Sequence, residues 1–359
     1  FAEAPEDGRG SQYFENFEMP PHSYAESVPV KVPCTSIMFL YIMWLLFDVA
    51  EGGPTAFTEY GAVEGFIDAR TNAAIWLGIP YAAPPIGDLR WRPPQRPQSW
   101  RPSTLSTRTD PKDCAQPSAV GSNNFFTGGS LKHINISSLS SEDCLFLNVY
   151  SSVDFRDQRK PVLLFIVGGA YQMGGIRRPK HIPSGEVAYT GKYDIALLHG
   201  NLVVVIVQYR LNLFGFAASD QLRSRDPKGG TGNYGILDQR LAMKWVKTNI
   251  AAFGGDPQKV LIVGESAGGN SVIQHLVRKE SWNLFWAAAI ESGTYEVDGG
   301  PFIGSTAGNI TVAMQEGNFQ ALMRAAGCSD VACMLALPAD DLNAAAYRAQ
   351  WHTGVALPW

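Results

Sequence analysis

An α/β fold built on a doubly wound, mostly parallel central sheet is predicted for residues 57–359, on two observations. Short, uninterrupted apolar runs recur along the chain, and a long amphipathic segment separates two of them. The runs are Pro161–Val167, Leu202–Tyr209, Val260–Val263 and Ala287–Ile290. Each is too short for a helix and lacks polar alternation, the pattern of strands buried on both faces of a parallel sheet. Between the second and third, Ile236–Ala252 places Leu237, Leu241, Trp245 and Ile250 at helical spacing. Asp238, Lys244 and Lys247 then mark the wet side of that helix, with the acid near its start and the base near its end, as the helix dipole favours. Strand, helix, strand is the unit from which doubly wound sheets are assembled.

Val63–Pro94 begins with hairpin-like alternation and passes into a proline-rich loop, and beyond Gly293 only Phe319–Ala326 reads clearly as helix. No repeat or low-complexity tract divides residues 57–359, so one domain is expected there. Residues 1–33 are polar and proline-bearing, a tail without apolar periodicity. Residues 34–56 hold the apolar run Ile37–Phe47, preceded by Lys31 and followed by Ala50, Gly52 and Gly53. A run of that length falls short of a bilayer of ~30 Å and fits a secretory signal segment, cleaved or retained as an anchor; a buried helix is the alternative. The chain opens on Phe1, so its natural start is expected upstream.

Composition narrows the function classes. The 29 basic and 33 acidic residues leave a net charge of −4 without any basic block, so nucleic acid is not an expected partner. Of five cysteines, Cys34 would leave with a cleaved signal. The remaining four, Cys114, Cys144, Cys328 and Cys333, are the even number expected in an oxidising compartment. Sequons at Asn135 and Asn309 are candidate glycosylation sites and agree with a secreted protein. No metal site or cofactor motif is found.

Gly264-Glu265-Ser266-Ala267-Gly268 carries the chemistry. A strand runs into Gly-x-Ser-x-Gly and a helix-compatible segment, Asn270–Arg278, follows. That is the context of a nucleophile elbow. The turn is so tight that side chains at 264 and 268 would strike neighbouring backbone. The Ser266 hydroxyl is thereby lifted clear, at a helix N-terminus that favours developing negative charge. The strand Pro161–Val167 ends in Gly168-Gly169-Ala170-Tyr171, followed by Gly174-Gly175. Small residues there let a substrate oxygen approach backbone N–H groups, so Gly169, Ala170 and Ala267 are the candidate oxyanion-hole donors.

These segments, with four more, resemble the type-B carboxylesterase family, which includes cholinesterases, related fungal lipases and the catalytically silent neuroligins. The others are Leu77–Gly87 with Leu89-Arg90-Trp91, Ser141–Val149, Tyr209–Phe216 and Gly232–Gln239, and the last match runs from Phe253 to Gly269. The resemblance covers residues 57 to about 358 and implies the α/β-hydrolase fold. It also implies a carboxylic ester hydrolase with Ser266 as nucleophile, and disulfides joining Cys114 to Cys144 and Cys328 to Cys333. Ala170 stands where the family has a third glycine, and its backbone N–H remains. Between Cys114 and Cys144, cholinesterases carry the tryptophan that binds the choline cation; here Phe125 and Phe126 are the only aromatics. A small-molecule or lipid carboxylic ester is therefore expected over a choline ester.

The fold's order of serine, acid, histidine leaves two histidines after Ser266. His275 lies nine positions along the same helix, ~13 Å at 1.5 Å per residue, so it is read as structural. His352 sits in no motif like the family's histidine loop. The acid and base are expected beyond Trp359, which would leave the fold incomplete at its C-terminus and this polypeptide alone nearly inactive. An adhesion module and an inactive fragment are the competing readings. Silent members typically lose the nucleophile, whereas Ser266 keeps its glycine surround.

Overall fold

The computed structural model describes residues 52–116, 139–177, 200–293, 309–349 and 355–357. The tail, Cys34, the apolar run, Asn135, Phe125, Phe126 and His352 lie outside the described residues. A seven-stranded sheet organises the rest. Its strands are β1 (Phe66–Asp68), β2 (Ala73–Pro80), β3 (Phe146–Ser152), β4 (Lys160–Ile166), β5 (Val203–Val207), β6 (Gly255–Glu265) and β7 (Ala287–Glu291), in the spatial order β7-β6-β4-β5-β3-β2-β1. The four strands read from apolar runs are the contiguous parallel part, and β3, β2 and β1 add antiparallel pairings at the other edge.

Alternate residues feed two cores. One face carries Trp76, Leu147, Val149, Leu164, Ile166, Val205 and Val207; the other carries Ile75, Leu77, Tyr150, Val204 and Ile206. The run Val203–Val207 is buried throughout, as a two-faced strand demands. The run 287–290 departs from expectation. As β7 it is an edge strand, half-buried at its alanines and with Ile290 40% exposed. An apolar run reports affinity for a core; only the sheet order decides which strands receive neighbours on both sides.

The expected helix is α1 (Tyr234–Asn249), continued by a 3₁₀ turn, Ile250–Phe253. It ends at Gly254 with φ 83°, where a Cβ would lie 2.3 Å from the Phe155 carbonyl oxygen, so only glycine closes this helix so near β6. Its faces differ from the sequence reading. Asp238, assigned there to the wet side, is fully buried, while Leu237 and Leu241 face the cores as expected but are only partly buried. The physical reason is Arg210. Its Nε and Nη2 donate to Asp238 Oδ2 and Oδ1 at 2.8 and 2.7 Å, and its backbone N–H donates to Oδ2 at 3.1 Å. A bidentate, backbone-supported pair tolerates burial that a lone carboxylate would not.

After β6 the chain forms α2 (Ala267–Leu276) and later α3 (Val312–Ala326), α4 (Val331–Ala336) and α5 (Ala339–Arg348). Phe319, Leu322, Met334 and Leu342 from the last three pack with Trp91 and Phe214 in a separate core. Arg90 ties that layer to the motif loops. It grips Glu142 through two hydrogen bonds of 2.6 Å and donates to the carbonyls of Met334, Leu335 and Leu337, which satisfies orphan acceptors at the end of α4.

Candidate active site

Strand register brings the two glycine-rich segments together. In the β6–β4 pairing Gly264 stands opposite Ile166, so Ser266 and Gly168 each emerge two residues beyond the same point of the sheet. The approach leaves no room for side chains. A Cβ on Gly268 would lie 2.1 Å from the Ile166 carbonyl oxygen, and one on Gly264 would lie 2.2 Å from the Gly268 carbonyl carbon. Ser266 itself holds φ 55° and ψ −121°, a conformation costly for any residue with a side chain. The strain is held by its neighbours: its N–H donates to the Glu291 carbonyl at 2.9 Å, and its own carbonyl accepts from the Asn270 N–H at 2.9 Å.

The loop opposite is equally constrained. Gly169, Ala170 and Tyr171 all have positive φ, at 108°, 55° and 59°. Three consecutive residues of that kind turn the backbone sharply, a conformation that persists only where its neighbours impose it. The Gly169 carbonyl accepts from the N–H groups of Gln172 and Met173, while the N–H groups of Gly169 and Ala170 donate to no acceptor among the described residues. Ala267, as first residue of α2, carries another N–H without an intrahelical partner. Every sequence-expected donor therefore lies on one of two segments in direct backbone contact.

What fixes the loop was not visible in the sequence. Tyr209 donates its hydroxyl to the Val167 carbonyl at 2.8 Å, and the Asn212 N–H donates to the Tyr171 carbonyl at 2.7 Å. Gln116 clamps Gly174 from the other side. Its Nε2 donates to the Gly174 carbonyl at 2.8 Å and its Oε1 accepts from the Gly174 N–H at 3.0 Å. Gln116 is held in turn by a disulfide between Cys114 and Cys144, one of two; the other joins Cys328 to Cys333. Replacing Cys114 and Cys144 by serine should cost about 2–5 kcal/mol, measured as a lowered urea midpoint.

The model of the carboxylesterase family matches residues 53–358. The chain belongs to the carboxylesterase family. It is 36% identical over 278 residues to liver carboxylesterase 1F of Rattus norvegicus, covering 73% of this chain and 45% of that protein. Fumonisin B1 esterase of Sphingopyxis macrogoltabida is 38% identical over 236 residues, 66% of this chain and 39% of that one. Among solved structures, a carboxylesterase of Geobacillus stearothermophilus superposes with a TM-score of 0.68 at 31% identity, covering 84% of this chain and 55% of the other. The fold is thus the α/β-hydrolase fold. The chain spans less than half the length of these curated carboxylesterases.

Within this carboxylesterase segment, His275 does not face Ser266. It is fully buried, with Nδ1 3.0 Å from Ser281 Oγ and Nε2 3.0 Å from Gln239 Oε1. Gln239 donates onward to Ser271 Oγ at 3.0 Å, and Ser271 Oγ lies 3.3 Å from the Tyr171 hydroxyl. The chain of bonds links α1 and α2 to the glycine loop. The remaining five histidines lie outside the described residues. Asn309 opens a short strand, Asn309–Thr311. Among the described residues no group of three His, Cys, Asp or Glu could hold a metal ion, and no helix is long and apolar enough to cross a membrane.

Burial lowers the His275 pKa to about 3, with Arg240 and Arg278 adding to the effect. The unfolded chain takes up this proton near the ordinary ~6.5, so unfolding gains a proton as pH falls from there toward about 3, and stability drops across that window. Asp113, raised to about 6 by burial against the opposing pull of Arg177, acts in the other sense between the unfolded carboxylate value and 6. The difference between wild type and His275→Gln in urea titrations isolates the histidine: it should shrink as pH falls below ~6.5. A constant difference would show that His275 is charged in the folded protein.

Proposed function

We propose that the full-length protein is a serine carboxylic ester hydrolase working through an acyl-enzyme on Ser266. Ser266 Oγ attacks the ester carbonyl carbon while its proton passes to a histidine supplied from outside the described residues. The carbonyl oxygen becomes an oxyanion held by the N–H groups of Gly169, Ala170 and Ala267. Collapse of that intermediate breaks the bond to the alkoxy oxygen, which leaves with the proton as an alcohol; water then attacks the acyl group, restoring Ser266 and releasing the acid. The observation carrying this reading is the strained φ of Ser266 beside a glycine loop in which the Gly169 and Ala170 amides have no acceptor among the described residues. Strain of that kind persists where surrounding structure over-determines it, and function is the usual reason.

The glycine surround of Ser266 favours an enzyme over a silent adhesion module. The substrate is proposed to be a small-molecule or lipid carboxylic ester rather than a choline ester, since no tryptophan lies between Cys114 and Cys144. Two disulfides support a site of action in the secretory pathway or outside the cell. Treatment of full-length protein with a fluorophosphonate should add one phosphonyl group to the peptide containing Ser266, read by mass spectrometry. A well-folded full-length protein that takes up no label would end the hydrolase reading.

A further inference from the structure

Leu237 and Leu241, partly buried against two different cores, also line a second cavity. With Arg240 and Lys244 they form one face of α1, at the i, i+3, i+4, i+7 positions where helix side chains align. That face is one wall of a cavity of about 510 Å³, whose opposite walls come from the loops 92–95 and 225–232. The volume falls in the ~300–1,000 Å³ range of small-molecule sites, and Ser266 is not among its lining residues.

Its charge is one-sided. Arg92, Arg225, Lys228, Arg240 and Lys244 line it against a single carboxylate, Asp226. That carboxylate is already engaged: Oδ1 accepts from the Lys228 N–H at 3.0 Å and Oδ2 from the Gly230 N–H at 3.1 Å. Arg92 and Arg225 share Asp88, which lies outside the cavity, and Arg240 reaches Glu280 at 3.8 Å. Among the described residues no carboxylate pairs with Lys228 or Lys244. Partial desolvation on the cavity side first, then the charges of Arg240, Lys228 and Arg96, hold the largely exposed Lys244 below the ordinary lysine value.

The lining also carries apolar groups, Pro93, Pro94, Pro227, Leu237, Leu241 and Tyr234. Tyr234 is 1% exposed, and its hydroxyl lies beside Thr231 and the Gly232 amide without a well-formed hydrogen bond to either. A buried hydroxyl left unpaired is costly, and an acceptor entering the cavity would relieve it.

We propose that this cavity binds an amphiphilic anion, an oxyanion head on an apolar tail, at a site separate from Ser266. The head would take charge-assisted hydrogen bonds from Lys228, Lys244 and the Tyr234 hydroxyl, and the tail would cover Leu237 and Leu241. The inference does not depend on the hydrolase reading.

The probes are decanoate, decyl phosphate, decanol and inorganic phosphate, titrated calorimetrically into full-length protein. Decanoate or decyl phosphate should bind saturably, decanol and inorganic phosphate at least about tenfold more weakly, with affinity falling as salt rises. Lys228→Glu with Lys244→Glu should weaken the amphiphile at least about tenfold; both side chains are exposed, so folding should survive. Tyr234→Phe should weaken it too while leaving the unliganded protein no less stable. Binding that is unchanged in the charge-reversed variant, equal for decanol, or abolished by phosphonylation of Ser266 would overturn the proposal.

Discussion

Ser266→Ala should reduce ester hydrolysis by the full-length protein on the order of 10⁴- to 10⁶-fold, with p-nitrophenyl ester turnover as the readout. The size follows from what the side chain would do. No other hydroxyl emerges from the strained turn, and the loop amides can polarise a bound carbonyl without supplying a nucleophile. KM should change little, because Ser266 is one small contact in ground-state binding. Urea midpoints should also hold, since alanine keeps the Cβ and with it the same backbone strain at φ 55°. A variant retaining a tenth of wild-type turnover would exclude Ser266 as the attacking group.

The largest loss of stability is expected at Asp238. Asp238→Ala strips three hydrogen bonds from Arg210 and leaves a guanidinium at 3% exposure without its carboxylate. Breaking a buried pair from one side costs about 3–5 kcal/mol, a large part of the ~5–15 kcal/mol that holds a domain together. The damage would travel toward the site. The Arg210 carbonyl oxygen is crowded by Gly215 and Gly235, so the main chain there has little slack. Its neighbours Tyr209 and Asn212 are the residues that anchor Val167 and Tyr171. A urea midpoint for Asp238→Ala within experimental error of wild type would mean that Arg210 finds another partner or water.

How far the sequence could be read follows from the range of each interaction. The elbow was legible because its logic is local: a strand, two glycines and a serine within a few residues. The loop after β4 was legible for the same reason. The parallel strands announced themselves by composition. Asp238 was misassigned because a charge on a helix reads as solvated unless its partner is known, and Arg210 lies 28 positions away. The chain from His275 to Tyr171 was hidden for the same cause, with Ser271 and Tyr171 separated by 100 positions. Gln239 stood inside a recognised motif, yet nothing local says that its amide joins a histidine on the next helix to a serine. β7 was read as a strand but wrongly as a fully buried one, because no run of apolar residues records whether a neighbour lies on its far side.

The crystal structure of full-length protein after fluorophosphonate treatment tests the central geometric claim most directly. The phosphonyl oxygen on Ser266 should sit about 2.7–3.1 Å from the amide nitrogens of Gly169, Ala170 and Ala267. A phosphonyl oxygen turned to solvent, with those amides bonded elsewhere, would contradict the claim that the strained serine and the glycine loop form one catalytic surface.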